Sequence, residues 1–282
     1  MMKLPLPDID HAVVYEAARA RFADKNLKQR LSDGQAAVMA LGNDFIALGN
    51  DGQLHTIAPD PAVPPAIQPG DMQRLYTSGL LRKKSDARNY YDRLRLSSPF
   101  RVCPFCLHRP VRSLDHYLPK AQYGAYAVLP ANLVPSCRDC NSDKDIFAPE
   151  TRSSSIIHPY FDHIDDEPWL GCEINNLDGF CTATFFISSA AISEDLRPRL
   201  ISHMEALNLF DLYDVEGARE LNEMAAALKK TFDTSGATGV QSLCETIADS
   251  RSALANNYWR SVLWRAAANN EQFRSLEWYH AA

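Results

Sequence analysis

Two closely spaced pairs of cysteines are the residues whose types and spacing most clearly predict a metal site in this sequence. Each pair has two residues between its cysteines, and thirty residues separate the pairs: Cys103, Cys106, Cys137 and Cys140. Zinc prefers tetrahedral thiolate sites, and two such pairs supply four sulfurs. We therefore expect one structural zinc ion, whose closed coordination leaves no position for a substrate. The remaining cysteines are scattered and odd in number, which does not fit a disulfide framework: Cys172, Cys181 and Cys244.

The loop between the two pairs, with the residue just after the second pair, suits hydrolysis of a phosphodiester bond. Such a reaction needs a base for the attacking water, a divalent cation, and a group that holds the base in place. We take His116 as the base, because the pKa of a histidine lies near neutrality. Oxygens of Asp115 and Asn141 suit a hard cation such as Mg²⁺. Asn132 precedes the second pair, and we expect it to fix the loop or the ring of His116.

In this order and spacing, the residues resemble the HNH endonucleases, also called His-Me finger or ββα-metal nucleases. The likeness is carried by Asp115-His116, Asn132-Leu133 and the run Cys137-x2-Cys140-Asn141-x2-Lys144, with Cys103-x2-Cys106 upstream. The resemblance implies a β-hairpin that carries His116, followed by a helix that begins near Arg138. It also implies hydrolysis that leaves 5′-phosphate and 3′-hydroxyl ends.

The resemblance assigns a role to each matching residue. His116 corresponds to the general base, Asp115 to a ligand of the catalytic metal, and Asn132 to the asparagine that holds the active-site loop. Many members have a histidine where Asn141 stands, so the sequence is an HNN-type variant. An asparagine ligand favours Mg²⁺ or Mn²⁺ over Zn²⁺ or Ni²⁺.

Basic residues around this loop predict attraction to nucleic acid, although the whole chain is acidic. The net charge is −6, yet residues 82–120 contain ten Lys or Arg against three Asp, which is +7 and leaves −13 elsewhere. Local charge governs phosphate attraction, because salt screens fields beyond about 8 Å. We expect double-stranded DNA as the partner, contacted by Lys144, Lys120 and Arg112. A solvated basic surface is the alternative, and it is equally favoured for Lys120.

The pattern of apolar residues predicts an α+β protein, which is a mainly helical chain with a zinc-stabilised finger and short β-hairpins. We predict three regions: 1–69, a helix plus hairpins ending in a proline-rich linker; 70–165, a basic helix and the nuclease finger; and 166–282, a hairpin and C-terminal helices. Within them, helices are expected at 8–32, 70–96, 194–208, 214–232 and 238–267, a strand at 111–118, and hairpins within 36–57 and 168–188.

Location and partners follow from weaker signals. No apolar run is long enough to span a membrane and no signal peptide is recognisable, so we expect a cytoplasmic protein with no membrane partner. The net negative charge of the rest of the chain suggests that cleavage is controlled by a partner or by a restricted DNA geometry. HNH proteins of this size often serve in restriction or anti-phage systems, where the partner would be an ATPase or a recognition subunit.

Three other interpretations stay open. The chain could be a non-catalytic zinc module that binds nucleic acid or protein, or an RNA-cleaving HNH toxin. The segment from His158 to His163 could be a second metal site. We favour a strand edge there, with Tyr160 and Phe161 in the core.

Overall fold

The chain forms two compact units, each with its own core. The computed structural model describes residues 1–83, 85–164, 168–177, 179–188 and 192–279. One unit comprises Lys3–Asp162, and the other comprises Met1–Met2 with His163–Ala282. The boundary predicted after residue 69 lies inside the first unit, whereas the one predicted after 165 lies close to the observed division. Helices and two small antiparallel sheets make the chain an α+β protein. In the described segments, no helix is long and apolar enough to cross a membrane.

The first unit begins with two helices, α1 (His11–Ala20) and α2 (Lys25–Asn50). Asp10 and Asp24 cap them, because each carboxylate accepts the backbone N–H three residues further on,. The single helix predicted at 8–32 is therefore divided.

The hairpins predicted within 36–57 are wrong, because α2 continues to Asn50. The pair Gly42-Asn43 has the composition of a turn,. In the structure, Gly42 is buried against α1, and a Cβ added to it would lie 2.6 Å from Nδ1 of His11. The glycine permits close packing of two helices rather than a reversal of the chain.

The proline-rich segment at 59–69 is not the extended linker that we expected. Val63 and Ile67 are buried, and their backbones exchange two hydrogen bonds of 3.0 Å. The segment therefore belongs to the packed first unit.

The single helix predicted at 70–96 is replaced by three shorter elements. They are α3 (Asp71–Arg74), a π-helical turn (Leu75–Leu80) and α4 (Asp86–Arg95). Arg30 of α2 holds Asp71 through two N–O contacts of 2.8 Å. This ion pair ties α3, and with it the π-helical turn, to α2.

The central loop folds as a hairpin followed by a helix. Strand β1 (Ser113–His116) pairs antiparallel with β2 (Leu133–Ser136), and His116 lies opposite Leu133. Helix α5 (Arg138–Lys144) follows directly. The strand is shorter than the predicted 111–118, and the helix begins at the predicted residue.

The second unit contains the predicted hairpin, β3 (Leu170–Leu177) paired antiparallel with β4 (Phe180–Ile187). Asp178, in the predicted turn, lies outside the described residues. The helices that follow are α6 (Leu196–Ala206), α7 (Leu209–Glu223), α8 (Ala225–Ser252), α9 (Trp259–Asn269) and α10 (Glu271–Arg274). The break predicted between 232 and 238 is only a kink within α8, at Gly236 with φ of 62°. The long helix predicted at 238–267 is divided after Ser252.

Candidate active site and cysteine cluster

The four cysteines of the two pairs converge on one point. Their sulfurs all lie within 4.8 Å of one another, and all four residues are buried. A tetrahedral zinc site with Zn–S bonds of about 2.3 Å has sulfurs about 3.8 Å apart. The donor set and its spacing therefore fit a structural metal such as zinc.

Backbone geometry shapes the two cysteine turns around this point. Cys106 Sγ accepts the N–H of Arg109 at 3.5 Å, and Cys137 Sγ accepts the N–H of Cys140 at 3.4 Å. Such N–H donors stabilise thiolates and orient metal ligands. Across the two turns, Arg109 forms an ion pair of 2.6 Å with Asp139. The cluster thus fixes where α5 begins relative to β1.

His116 lies at the end of β1 and lines a cleft of about 460 Å³. Its Nε2 is 2.9 Å from the carbonyl oxygen of Ala127. A carbonyl can only accept, so Nε2 carries the proton and Nδ1 of the neutral ring keeps its lone pair. Burial, and then the positive charge of Lys120, lowers the pKa of His116 to about 3.

Several predicted site residues share this cleft with His116. The cleft walls come from β1, α5, the loop after β1 and the π-helical turn, and include Ser113, Asp115, Lys120, Asn141 and Tyr76. The sequence motif is therefore assembled in space as well as in order.

Asp115 is buried at the base of this arrangement. Its Oδ2 accepts no hydrogen bond from the described residues, although Lys144 Nζ lies 3.3 Å away as an ion-pair partner. Burial raises the pKa of Asp115 to about 6, against the opposing effect of Lys144. This buried oxygen has an ion-pair partner, Lys144, but accepts no hydrogen bond from the described residues, so it can still serve as a ligand for a cation.

Lys144 has a different place from the predicted one. Its side chain is fully buried, and Nζ donates a 2.7 Å hydrogen bond to the carbonyl oxygen of His116 as well as pairing with Asp115. Burial lowers the pKa of Lys144. The predicted phosphate contact of Lys144 is therefore wrong, because its side chain points inward and ties α5 to β1.

Asn132 is fully buried behind the cleft and closes the loop that follows β1. Its Oδ1 accepts the N–H of Leu118 at 2.8 Å, and its Nδ2 donates to the carbonyls of Leu118 and Tyr126 at 3.0 and 3.1 Å. Ala127, the partner of His116, is the next residue after Tyr126. Asn132 thus holds the segment that orients the imidazole.

Asn141 lies on α5 and is half-buried at the cleft. Its Nδ2 donates to Ser113 Oγ at 3.2 Å, which directs the amide across the start of β1. The amide oxygen remains as a potential ligand. A carboxylate from β1 and an amide oxygen from α5 in one cleft are the donor types that Mg²⁺ or Mn²⁺ takes.

Tyr76 is a site residue that no sequence pattern predicts. It comes from the π-helical turn, and its buried ring meets the His116 ring edge-on with centroids 4.4 Å apart. The ammonium of Lys120 lies 5.5 Å from the Tyr76 centroid. Single-turn π-helical segments are frequent at functional sites, but nothing in the residues 75–80 marks one.

Of the other predicted contacts, Lys120 is half-buried in the cleft wall, and Arg112 is exposed at the approach to β1. Part of the basic stretch is neutralised internally, because Asp92 pairs with both Arg88 and Arg95. Asp92 is already included in the net charge of +7, but Asp139 of α5 lies outside this stretch and pairs with Arg109.

The segment after α5 that contains His158 is a turn rather than a strand edge. His158 is buried, its Nδ1 accepts the N–H of Tyr160, and its ring packs 4.2 Å from that of Tyr117. Tyr160 is buried as expected, whereas Phe161 is half-buried. These contacts give His158 a packing role beside the strand that carries His116.

Comparison with known proteins identifies a similar phage protein. No family model matches the sequence, and no solved structure matches the chain. The chain is similar to protein ea31 of Escherichia phage lambda, with 28% identity over 298 residues. That likeness covers 97% of this chain and 99% of the phage protein, so it extends over both compact units.

Proposed function

We propose that this protein is a Mg²⁺- or Mn²⁺-dependent HNH-type endonuclease that hydrolyses phosphodiester bonds in DNA. The observation that carries the proposal is the shared cleft of His116, Asp115 and Asn141. A neutral imidazole and two oxygen donors for a hard cation are the groups that this hydrolysis needs. Asn132 and the cysteine cluster hold in place the β1–β2 hairpin and α5, which carry these three residues.

In the proposed reaction, His116 is the general base. The carbonyl of Ala127 fixes the proton on Nε2, so Nδ1 takes the proton from the water that attacks phosphorus. Asn132 keeps the Tyr126–Ala127 backbone in place. The edge-on ring of Tyr76 limits rotation of the imidazole.

Asp115 and Asn141 would hold the catalytic cation. When bound, a divalent cation stabilises the charge that develops on the phosphate and on the leaving oxygen. Lys120, in the cleft wall, is placed to attract a substrate phosphate. The resemblance to HNH enzymes adds the expected products, which are 5′-phosphate and 3′-hydroxyl ends.

Charge supports DNA as substrate and control by a partner. Residues 82–120 carry +7 and the remainder of the chain −13, so most of the surface repels a polyanion. A partner such as an ATPase or a recognition subunit, in a restriction or anti-phage setting, would bring DNA to the basic part.

A plasmid nicking assay with Mg²⁺ tests the proposal. Wild type should convert supercoiled plasmid to nicked or linear forms, and His116→Ala should lower the rate by at least a hundredfold, the usual contribution of a general base. His55→Ala is the matched control, because His55 is half-buried outside this cleft, and it should cut like wild type.

Two results would replace the proposal with an alternative. Equal conversion by wild type and His116→Ala, or none by wild type with Mg²⁺ or Mn²⁺ even when a partner ATPase or recognition subunit is added, would favour a non-catalytic zinc module. Preferred cleavage of RNA in a mixture of RNA and DNA would favour the toxin interpretation.

A further inference from the structure

Phe100 is the most exposed large apolar side chain of the described residues, with 86% of its surface accessible. It lies between α4 and the first cysteine pair. We propose that Phe100 is an apolar wedge that enters a base step of duplex DNA near the cleavage site. This inference rests on the proposed function for its ligand, DNA, and adds to that function a residue that deforms the duplex.

The backbone holds Phe100 in a costly conformation. Phe100 and Arg101 have φ of 52° and 57°, a left-handed geometry that is unfavourable for residues other than glycine,. Strain of this kind persists where surrounding structure imposes it, and it concentrates at functional sites. A glycine at position 100 would remove the strain but also the ring, so the sequence keeps an aromatic side chain at the expense of stability.

The neighbouring contacts make the presentation of Phe100 rigid. Ser98 is buried and donates its hydroxyl hydrogen to the carbonyl of Val102. The carbonyl of Arg101 accepts the N–H of Val111 at 2.7 Å, and Val102 pairs with Pro110 at the base of the first cysteine turn. The exposed ring is therefore carried on the same framework as the metal cluster.

The charge around Phe100 fits a polyanion. Residues 93–112 contain five arginines and no carboxylate. Arg95 and Arg109 are used in internal ion pairs, whereas Arg93, Arg101 and Arg112 are exposed. An exposed aromatic ring among cations suits an anionic surface that also offers apolar contacts, and stacked bases between phosphates provide both.

The connection to the cleft favours DNA over an anionic membrane. Val111, the partner of Arg101, leads in an extended path to Asp115, which lines the cleft. Four residues at about 3.3 Å each span about 13 Å. The backbone beside Phe100 is therefore joined to the cleft by one short segment, and the substrate of that cleft in the proposed function is DNA.

The test uses the full chain in a His116→Ala background, so that the DNA stays intact in the presence of Mg²⁺. Three quantities are measured: the affinity for a short duplex, by fluorescence anisotropy; the change in linking number of a plasmid relaxed by topoisomerase with the protein bound; and cosedimentation with vesicles of anionic phospholipid. Phe100→Gly removes the ring, and Phe100→Trp keeps an aromatic one. Phe180→Ala, at a half-exposed phenylalanine of the second unit, is the matched control.

We expect Phe100→Gly to weaken duplex binding about tenfold, within the range for loss of one stacking side chain. It should also abolish the unwinding of the plasmid, while its melting temperature is equal to or higher than that of the parent. Phe100→Trp and Phe180→Ala should retain both binding and unwinding.

The inference is overturned if the parent causes no unwinding, or if Phe100→Gly binds and unwinds DNA like the parent. It is also overturned if Phe100→Gly loses binding to anionic vesicles but keeps its binding to DNA. Nicking by the wild type is scored separately. If wild type nicks DNA but Phe100→Gly binds and unwinds DNA like the parent, the wedge is excluded and the nuclease proposal stands. If Phe100→Gly loses binding and unwinding but wild type does not nick DNA, the wedge stands and the nuclease proposal fails.

Discussion

Lys144 Nζ lies 3.3 Å from Asp115 Oδ2 and 2.7 Å from the carbonyl oxygen of His116, with both side chains buried. One ammonium group from the end of α5 therefore contacts the two adjacent residues of β1 on which the proposed chemistry depends. It compensates the carboxylate charge and holds the backbone of the base. A buried ammonium is costly unless it is paired, so the two elements stabilise each other.

Replacing Lys144 by methionine should destabilise the protein strongly. The substitution keeps an unbranched side chain but removes the ion-pair partner of the buried Asp115, and breaking a buried ion pair costs about 3 kcal/mol or more in the free energy of unfolding. Denaturant unfolding without divalent metal measures this loss. If Asp115 binds Mg²⁺, the added ion should raise the melting temperature of Lys144→Met more than that of wild type.

Lys120→Met is the control for that prediction, because Lys120 lines the same cleft but is only half-buried. Its cost should stay below about 1 kcal/mol, as for exposed charges. Equal stability losses for the two variants would contradict the structural role of Lys144. An equal response of wild type and Lys144→Met to Mg²⁺ would contradict a cation at Asp115.

The cysteine cluster should bind about one zinc ion per chain, as four thiolates at this spacing imply. Cys137→Ser should lose the metal and unfold the hairpin and α5, because metal binding and folding are coupled in such sites. Elemental analysis and thermal melting measure both effects. Cys172→Ser, at a cysteine on β3 of the second unit, and Asp115→Ala should keep the zinc. Retention of zinc and normal stability in Cys137→Ser would count against the cluster as a metal site.

The parts of the site that follow from local order could be predicted from the sequence. The spacing within the cysteine pairs predicts two turns of the backbone that converge on one metal, and the start of α5 near Arg138 follows from the resemblance to HNH enzymes. Asn132 lies 14 residues from Leu118, at the base of the same hairpin. Its closing of the loop therefore depends on one strand pairing and not on the rest of the fold.

The parts of the site that depend on packing between distant segments could not be predicted from the sequence. Tyr76 reaches His116 only because a π-helical turn 40 residues earlier in the chain packs against β1. Lys144 has the residue type of a phosphate contact, and only the closeness of α5 to β1 turns it inward. Gly42 has the local signature of a turn, yet it lies within α2, where its lack of a side chain allows the close approach of His11 of α1.

Asn132→Ala should lower the free energy of unfolding by about 3 kcal/mol, since it leaves the buried N–H and carbonyl of Leu118 without their partner and removes one of two donors to the carbonyl of Tyr126,. Asn132→Asp should be worse, because an oxygen would then face the carbonyls of Leu118 and Tyr126. Nicking should fall in both, as Ala127 loses its fixed place beside His116. Asn89→Ala, at an exposed position of α4, should change stability by less than about 0.5 kcal/mol. Full nicking activity in folded Asn132→Ala would show that the loop does not need this residue.

The ion pair between Arg30 and Asp71 should make stability depend on pH in a defined direction. Hydrogen bonds from Arg30 lower the pKa of Asp71, against the effect of burial. A lowered pKa adds stability that is fully present above the ordinary value for an aspartate, about 3.9, and is lost as the pH falls through the lower value in the folded protein. Arg30→Met should therefore have a clearly lower melting temperature than wild type at pH 7, and the difference should shrink below about pH 4.

Arg74→Met provides the comparison, since Arg74 pairs with Asp24 at 3.4 Å on the exposed surface. It should melt close to wild type at neutral pH, because exposed ion pairs contribute little. Arg30→Met should also reduce nicking, since α3 leads directly into the π-helical turn that carries Tyr76. A difference between Arg30→Met and wild type that stays constant from pH 7 to pH 3 would mean that lost packing, rather than the charge on Asp71, causes the effect.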